Sequence, residues 1–255
     1  MKLAATDFDG TFCPIHSRVP EANIEAVEAW QAAGHKFGIN TGRGIGLIHY
    51  ELVKYETLAP DFLICNNGAV IVGRNGEILA SLTYPEALLR GVLSLPRFAD
   101  GEDPLLIITE RETFSLRPNP DVELGIGEMP EVTLEAAMAM KDVVQLSMRC
   151  QTTAAAEQTA AEVRAAFPET TGNINRNYLD LNLQGANKAE GVARLLATTG
   201  WQVAPDDLFV IGDDKNDLPA IERYHGYAVE TATDSVKRAA RAVYPTVGAM
   251  LRENL

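Results

Sequence analysis

The sequence has few cysteines and few basic residues for its length, and each shortage excludes a class of protein. Its three cysteines, Cys13, Cys65 and Cys150, are too widely scattered for a disulfide framework or a C-x-x-C zinc pair. We interpret them as small buried side chains with reduced thiols. Lys and Arg total 22 against 35 Asp and Glu, which gives a net charge of −13. Because nucleic-acid binding depends on basic side chains that neutralise phosphates, this balance argues against a nucleic-acid partner.

The sequence also lacks an apolar run near the roughly 20 residues that a membrane-spanning helix needs, so we expect no membrane partner. Its first residues do not combine a basic segment, an apolar run and a small-residue cleavage site, and we therefore expect a cytoplasmic protein. Hydrophobic residues make up 46% and charged residues 22%, which is typical of a globular chain with a real core. Nothing in the sequence marks an oligomer interface, so the oligomeric state is left open.

Strand and helix patterns alternate in the first 65 residues and again after residue 185. A helix is predicted from Pro20 to Ala33, with Ile24, Val27 and Trp30 on the face that packs against a sheet. The alternation indicates βαβ units and a parallel sheet. The other predicted elements are strands at Lys2 to Thr6, His35 to Asn40, Phe62 to Cys65 and Leu208 to Ile211, and helices at Ile45 to Tyr55 and Lys188 to Thr199.

The middle of the chain mixes strands and helices without this regular alternation. Strand candidates such as Val143–Arg149 and Tyr178–Leu183 stand beside helix candidates such as Ala154–Phe167. We therefore predict an α/β protein with a Rossmann-like parallel-sheet core, residues 1–80 and 185–255, and an inserted α+β domain, residues 81–184.

Two carboxylates follow the first predicted strand directly, in the segment Asp7-Phe8-Asp9-Gly10-Thr11. Ligands of open parallel sheets bind at the carboxyl ends of the strands, so this position favours a functional site. The alternative is local structure alone, with a turn at Asp9-Gly10 and a capping role for Asp7.

Three further segments favour the functional interpretation. Thr41 and Gly42 follow the second strand, and the acidic run from Gly212 to Asp217 follows a later one. Lys188 opens a helix whose amino terminus would itself attract an anion. All these side chains would meet at one edge of the sheet.

This set of motifs resembles the haloacid dehalogenase superfamily, and its order and spacing are similar to the Cof-like sugar-phosphatase branch. Asp7-Phe8-Asp9-Gly10-Thr11 matches the nucleophile motif, Thr41 the second motif and Lys188 the third. Gly212-Asp213-Asp214-Lys215-Asn216-Asp217 matches the fourth motif, and Asn67-Gly68-Ala69 a segment that the branch commonly carries. The chain departs from the pattern at Ala189, at Pro219-Ala220 and at Glu230-Thr231-Ala232, which leaves loop geometry and specificity open.

The resemblance implies a phosphatase that hydrolyses small phosphate monoesters, such as sugar phosphates, through an aspartyl-phosphate intermediate. Asp7 would be the nucleophile and Asp9 the general acid and base. Gly10, Thr41, Gly42 and Lys188 would hold the phosphate, and Asn216 would fix the fourth-motif loop or reach the phosphate. Mg²⁺ would be bound by the Asp7 carboxylate, the Asp9 backbone carbonyl and Asp213, with Asp217 or Asp214 orienting metal-bound water. Residues 81–184 would form a cap that selects the substrate.

Other functions remain open from the sequence. The same intermediate could pass its phosphoryl group to a sugar acceptor, as in a mutase, and a phosphate-responsive binding module would use a similar acidic cluster. For Arg43 we favour a structural ion pair over a substrate contact. The sequence does not rank the cap residues that could line a polar pocket, which are Arg111, Arg117, Arg149, Asn173, Asn175, Arg176 and Asp180.

Overall fold

Two sheets organise the computed structural model, which describes residues 1–118 and 129–255. The strands are β1 (Leu3–Thr6), β2 (Lys36–Asn40), β3 (Phe62–Cys65), β4 (Val70–Gly73), β5 (Ile78–Ser81), β6 (Leu105–Thr109), β7 (Thr113–Arg117), β8 (Val143–Arg149), β9 (Thr170–Asn175), β10 (Tyr178–Leu183), β11 (Leu208–Gly212), β12 (Tyr227–Val229) and β13 (Val243–Tyr244). The helices are α1 (Glu21–Ala32), α2 (Ile45–Leu52), α3 (Glu86–Leu93), α4 (Pro96–Ala99), α5 (Leu134–Met138), α6 (Thr153–Ala166), α7 (Lys188–Thr199), α8 (Leu218–Tyr224), α9 (Asp234–Ala239) and α10 (Val247–Glu253).

The described residues group into two compact units. The first contains residues 1–42, 52–80 and 187–255, and the second contains residues 43–51 and 81–186. Residues 43–51 belong to the predicted core range 1–80 but group with the second unit. Every helix in the described ranges is too short or too polar to cross a membrane.

The first unit contains the eight-stranded sheet, in the order β13-β12-β11-β1-β2-β3-β4-β5. From β13 to β3 every neighbouring pair is parallel, which confirms the predicted parallel core, whereas β4 runs antiparallel to β3. All four residues of β1 are buried, as expected for an interior strand with both faces covered. The predicted apolar face of α1 is also confirmed, because Ile24, Val27 and Trp30 are buried.

The second unit contains a five-stranded antiparallel sheet, in the order β7-β6-β8-β10-β9. One face of this sheet is apolar and belongs to a cluster that includes Leu146 and Leu179, with helices α3 and α6 packed on it. On β8 and β10 the alternate side chains are polar, and Ser147 donates a hydrogen bond to Asp180 Oδ1 at 2.7 Å. This alternation is the period-two pattern of a sheet with one apolar face, and it confirms the predicted α+β insertion.

The cysteines behave as predicted from their number and spacing. Cys13, Cys65 and Cys150 are all buried and none forms a disulfide. Burial raises the pKa of the Cys65 thiol to about 12, so this side chain is an inert part of the core.

Asp61, which directly precedes β3, ties three parts of the first unit together. Its carboxylate accepts hydrogen bonds from Lys36 Nζ at 2.9 Å, Gln31 Nε2 at 2.9 Å, the Phe37 backbone N–H at 3.1 Å and Arg74 Nη1 at 3.1 Å. Burial opposes ionisation, but the bonds from Gln31, Lys36 and Phe37 outweigh it and lower the pKa of Asp61.

Asp61→Ala should therefore reduce the free energy of unfolding at pH 7 by about 2–3 kcal/mol, because it leaves the buried Phe37 N–H without its acceptor and removes the partner of three more exposed donors. Since the pKa of Asp61 is lowered by folding, its contribution is present above the ordinary pKa and is lost as the pH falls through the folded-state value. Urea unfolding of the wild type and of Asp61→Ala, at pH 7 and at acidic pH, measures the difference in their free energies of unfolding. A difference in stability that does not shrink in acid would contradict the assignment.

Candidate active site

The register of the first sheet brings three chain segments to one edge. Thr6 of β1 pairs with Ile39 of β2 and with Ile211 of β11. Asp7 is therefore level with the ends of both neighbouring strands, after which the second and fourth motifs begin. The Asp7 backbone N–H donates to Ile211 O at 2.9 Å, so the parallel pairing continues up to Asp7 itself.

Lys188 is the buried centre of the site. It is the first residue of α7, and the Asn187 side chain caps this helix by accepting a hydrogen bond from the Glu190 N–H at 2.9 Å. Only 1% of Lys188 is exposed, and its Nζ lies 2.6 Å from Asp7 Oδ1 and 2.6 Å from Asp217 Oδ1. A lysine without water needs charged partners of this kind. Burial alone would lower the pKa of Lys188, but the charges of Asp217 and Asp7 outweigh it and raise that pKa.

Both carboxylate oxygens of Asp217 are occupied by donors. Oδ1 binds Lys188, and Oδ2 accepts the backbone N–H groups of Asp213 at 3.0 Å and Asp214 at 3.2 Å. The Asp214 carboxylate caps the short 3-10 turn Lys215–Asp217 by accepting the Lys215 N–H at 2.7 Å. Asp217 thus lies inside the charged cluster and shapes its loop, while Asp214 organises the turn.

Three carboxylates meet around this one ammonium group. Ligand oxygens of Asp7, Asp213 and Asp217 all lie within 4.8 Å of one another, and Thr11 Oγ1 donates to Asp213 Oδ1 at 2.7 Å. Ionised, these four charged groups carry a net charge of −2. Burial raises the pKa of Asp213 to about 6, with the Asp217 charge adding to this and the Thr11 bond opposing it. Burial likewise raises the pKa of Asp7, although Lys188 acts against it. The cluster can therefore hold a divalent cation, which would offset this excess charge.

Gly10 is required by the closeness of the first and fourth motifs. Its φ is +90°, and a Cβ at this position would overlap the Asp213 carboxylate. The Thr231 hydroxyl donates to Gly10 O at 3.3 Å, and the Thr233 N–H donates to Asp213 O at 2.9 Å. Thr231, in the segment Glu230-Thr231-Ala232 that departs from the family pattern, thus holds the first-motif loop, and the following Thr233 holds the fourth.

Asp9 lies in a tightly bonded loop after Asp7 and is half-buried. The Phe12 N–H donates to Asp7 O at 3.2 Å, and the Gly10 N–H donates to Cys13 O at 2.8 Å. The carboxylate cluster found here contains Asp7, Asp213 and Asp217. The predicted roles of Asp9, as acid and base and as a carbonyl ligand, therefore stay predictions.

Thr41 is buried directly after β2, and its backbone is fixed on two sides. Its N–H donates to Ile64 O at 2.8 Å, and its carbonyl accepts the Asn67 N–H at 3.0 Å. Asn216 Nδ2 donates to Asn67 Oδ1 at 3.4 Å, which links the fourth-motif loop to the turn Asn66–Gly68. Phosphate binding by Thr41, Gly42 and Asn216 stays a prediction.

The remaining candidates lie in the second unit. The ion pair favoured for Arg43 is present, with its Nη1 at 3.5 Å from Glu51 Oε1. Arg117 is half-buried and donates to the carbonyls of Asp103 and Phe98, which is a structural role. Asn173 Nδ2 donates to Asn182 Oδ1 at 3.1 Å. Of the others, Arg149 and Asp180 are half-buried, and Arg111, Asn175 and Arg176 are exposed.

Sequence analysis did not identify two features of the site, the contact of Asn40 with Lys188 and the left-handed turn at Asn66–Gly68, although Asn67-Gly68-Ala69 was matched to a segment of the family branch. Asn40 is buried and donates through Nδ2 to Lys188 O at 3.0 Å, so it joins the end of β2 to the start of α7. Asn66, Asn67 and Gly68 have φ values of 53°, 54° and 93°, so three consecutive residues are left-handed. The residue types Asn-Asn-Gly were a usable signal for such a turn.

Comparison with known proteins decides the family. The sequence model of the haloacid dehalogenase-like hydrolases matches residues 4–248. The chain belongs to this family. The resemblance that the four motifs indicated is thereby confirmed.

Solved structures match this hydrolase along its whole length. A subclass IIB sugar phosphatase of the haloacid dehalogenase superfamily is 24% identical with a TM-score of 0.85, covering 100% of this chain and 99% of that one. A phosphatase of the same superfamily from Bacteroides thetaiotaomicron is 23% identical with a TM-score of 0.80, covering 99% and 93%. An uncharacterised protein from Mycoplasma capricolum is 24% identical over 241 residues, 88% of each chain. The two structural likenesses confirm the predicted fold of the hydrolase.

Asp213→Asn should stabilise the metal-free hydrolase at neutral pH, because it removes one of three crowded carboxylates and leaves an oxygen to accept the Thr11 bond. The pKa of Asp213 is raised by folding to about 6, so the folded state holds this proton longer and wild-type stability falls as the pH rises through about 6. The gain at pH 7.5 should reach up to about 3 kcal/mol.

Thermal unfolding in chelator at pH 5 and pH 7.5 checks this, with Mg²⁺ added in a second series. We expect Mg²⁺ to stabilise the wild type more than the variant. Equal pH dependence of the two proteins in chelator would contradict the charge-repulsion argument.

Proposed function

We propose that this hydrolase is a Mg²⁺-dependent phosphatase that cleaves small phosphate monoesters, such as sugar phosphates, through an aspartyl-phosphate on Asp7. The observation that carries the proposal is the buried contact of Lys188 with Asp7 and Asp217, at 2.6 Å each, beside a third carboxylate from Asp213. An anionic substrate approaches such a cluster only if cations offset its charge, and the cluster has too few cations of its own.

The donor set fits a hard divalent cation. Carboxylate oxygens crowd together with an excess negative charge of two, and oxygen donors are those that Mg²⁺ prefers. The Asp7 carboxylate, the Asp9 carbonyl and Asp213 would hold the ion. Asp217, whose oxygens bind Lys188 and two N–H groups, would orient metal-bound water. When bound, the cation supplies positive charge next to the transferring phosphoryl group.

Asp7 is the nucleophile in this proposal. Lys188 Nζ holds Asp7 Oδ1, which fixes the rotation of the carboxylate and favours its ionised form. A carboxylate oxygen of Asp7 bonds to phosphorus while the bond from phosphorus to the ester oxygen breaks. The resulting acyl-phosphate divides one slow hydrolysis into two faster steps.

Asp9 moves the protons. In the first step it gives a proton to the leaving alkoxide, and in the second it takes a proton from the water that attacks the acyl-phosphate. The second step restores Asp9 and Asp7, so the net products are the alcohol and inorganic phosphate. Its place two residues after Asp7, in a loop fixed by backbone hydrogen bonds, supports this role.

The transferring oxygens would be held by Lys188, the Thr41 hydroxyl and the N–H groups of Gly10 and Gly42, with Asn216 beside them. The inserted residues 81–184 would act as the cap that selects among substrates. The net charge of −13 argues against long polyanionic substrates, which leaves small phosphorylated metabolites of the cytoplasm as the proposed substrate class.

Asp7→Asn keeps the shape of the side chain but removes the nucleophile, so multiple-turnover phosphate release should fall at least about 10⁴-fold while the protein stays folded. Phosphate release would be measured from a panel of sugar phosphates, nucleotides and phosphorylated cofactors, with Mg²⁺ or with chelator. The matched control is Asp234→Asn, at the exposed start of α9. Retention of most activity in Asp7→Asn would rule out the nucleophile assignment. Phosphate transfer that occurs only with an added sugar acceptor would indicate a mutase instead.

Asp9→Asn should lower turnover by about 10²–10⁴-fold, because general acid and base catalysis is lost at both steps. An aryl phosphate, whose leaving group needs no proton, should still form the acyl-phosphate, which then persists. Acid quenching followed by mass measurement detects phosphate on Asp7. If the turnover of alkyl and aryl phosphates by Asp9→Asn falls by the same factor and no acyl-phosphate accumulates, the assignment of Asp9 is wrong.

A further inference from the structure

The turn Asn66–Gly68 has a backbone that costs energy. Asn66 and Asn67 both have φ near +53°, and they are followed by Gly68 at +93°. Asparagine tolerates this region better than most residues with a side chain, but the conformation still costs it energy relative to glycine, and two such residues in succession persist only where surrounding contacts hold them. All three residues are buried, so the turn is not a solvent-exposed connection that could relax.

Contacts from this turn reach three of the four motif segments. The Asn67 N–H donates to Thr41 O at 3.0 Å, and Asn67 Oδ1 accepts from Asn216 Nδ2 at 3.4 Å. Gly68 O accepts from Arg194 Nη1 of α7 at 2.5 Å. A Cβ on Gly68 would overlap the backbone of Asn187, so the turn lies directly against the start of the helix that carries Lys188.

We infer that Asn67 is a positioning residue of the active site, which sets the spacing of the second, third and fourth motifs through its left-handed backbone and its side-chain contact with Asn216. The inference rests on the proposed function, because it assigns Thr41 and Asn216 their effect through phosphate binding. Asn67 itself takes no part in the chemistry.

The alternative is that the turn serves folding alone, and two substitutions separate the possibilities. Asn67→Ala and Asn67→Gly both delete the contact with Asn216, but only glycine accepts the positive φ without strain. We expect the Tm of Asn67→Ala to lie about 2–4 °C below that of Asn67→Gly. The kcat/KM of both should fall roughly tenfold or more, mainly through a higher KM and weaker inhibition by inorganic phosphate.

His225 offers the matched control. It is exposed at the end of α8 with φ of 49°, outside the proposed site. His225→Ala and His225→Gly should repeat the difference in Tm and leave kcat/KM unchanged. If Asn67→Gly regains both stability and a kcat/KM within twofold of the wild type, the turn has only a structural role and the inference is overturned.

Hydrogen–deuterium exchange distinguishes failure of this inference from failure of the proposed function. If the wild type releases no phosphate from any ester, the proposed function fails. The positioning role of Asn67 is then tested by hydrogen–deuterium exchange alone. Faster exchange of residues 41–43 and 213–217 in Asn67→Gly, but not in His225→Gly, would then support the inference. Unchanged exchange at both segments would overturn it.

Discussion

The buried contact of Lys188 with Asp7 and Asp217 is the constraint on which the rest of the first unit depends. These residues come from three distant parts of the chain, and none of them is stable in the core without the others. The sheet register, the cap of α7 and the turn of the fourth motif are therefore all needed to satisfy one ammonium group. The close approach of α7 to the turn before β4 follows from Gly68 and Gly191, whose Cα atoms face each other with no room for a side chain. Charge satisfaction and backbone packing thus determine the same geometry.

The parts of the fold that the sequence predicts well have strong local signals. β3 and α7 have the predicted bounds, and α7 is marked by Asn187 at its start and by Gly200, with φ of 68°, after its end. The meeting of Asp7 and Asp213 was also predictable, because parallel strands place their carboxyl ends at one edge, and Lys188 was expected there because it opens a helix whose amino terminus attracts an anion. Asp7 and Asp213 directly follow β1 and β11, so an error of one or two residues in a predicted strand end still places them at the same edge of the sheet.

What the sequence did not predict depends on distant neighbours. The bonds from Thr11 to Asp213 and from Asn40 to Lys188 join residues 202 and 148 positions apart, and no local pattern encodes them. β9, with the sequence TTGNIN, lacks the apolar alternation that identifies a strand and is held instead by its pairing with β10. The turn Asn66–Gly68 has a suggestive composition, but its strain becomes meaningful only when the contacts that hold it are known.

Because Asp7 follows an interior strand, the active site is lost only when the sheet itself unfolds. β1 is hydrogen-bonded on both sides and fully buried. A slip of one residue would put Thr6 or Phe8 in the place of the carboxylate, and it would break the ladders to β2 and β11 together. Such an opening costs nearly as much as unfolding the whole sheet, whereas a nucleophile on a loop could be lost by local fraying. Under heat or denaturant, we therefore expect no populated intermediate in which the sheet remains folded while Asp7 has left the active site.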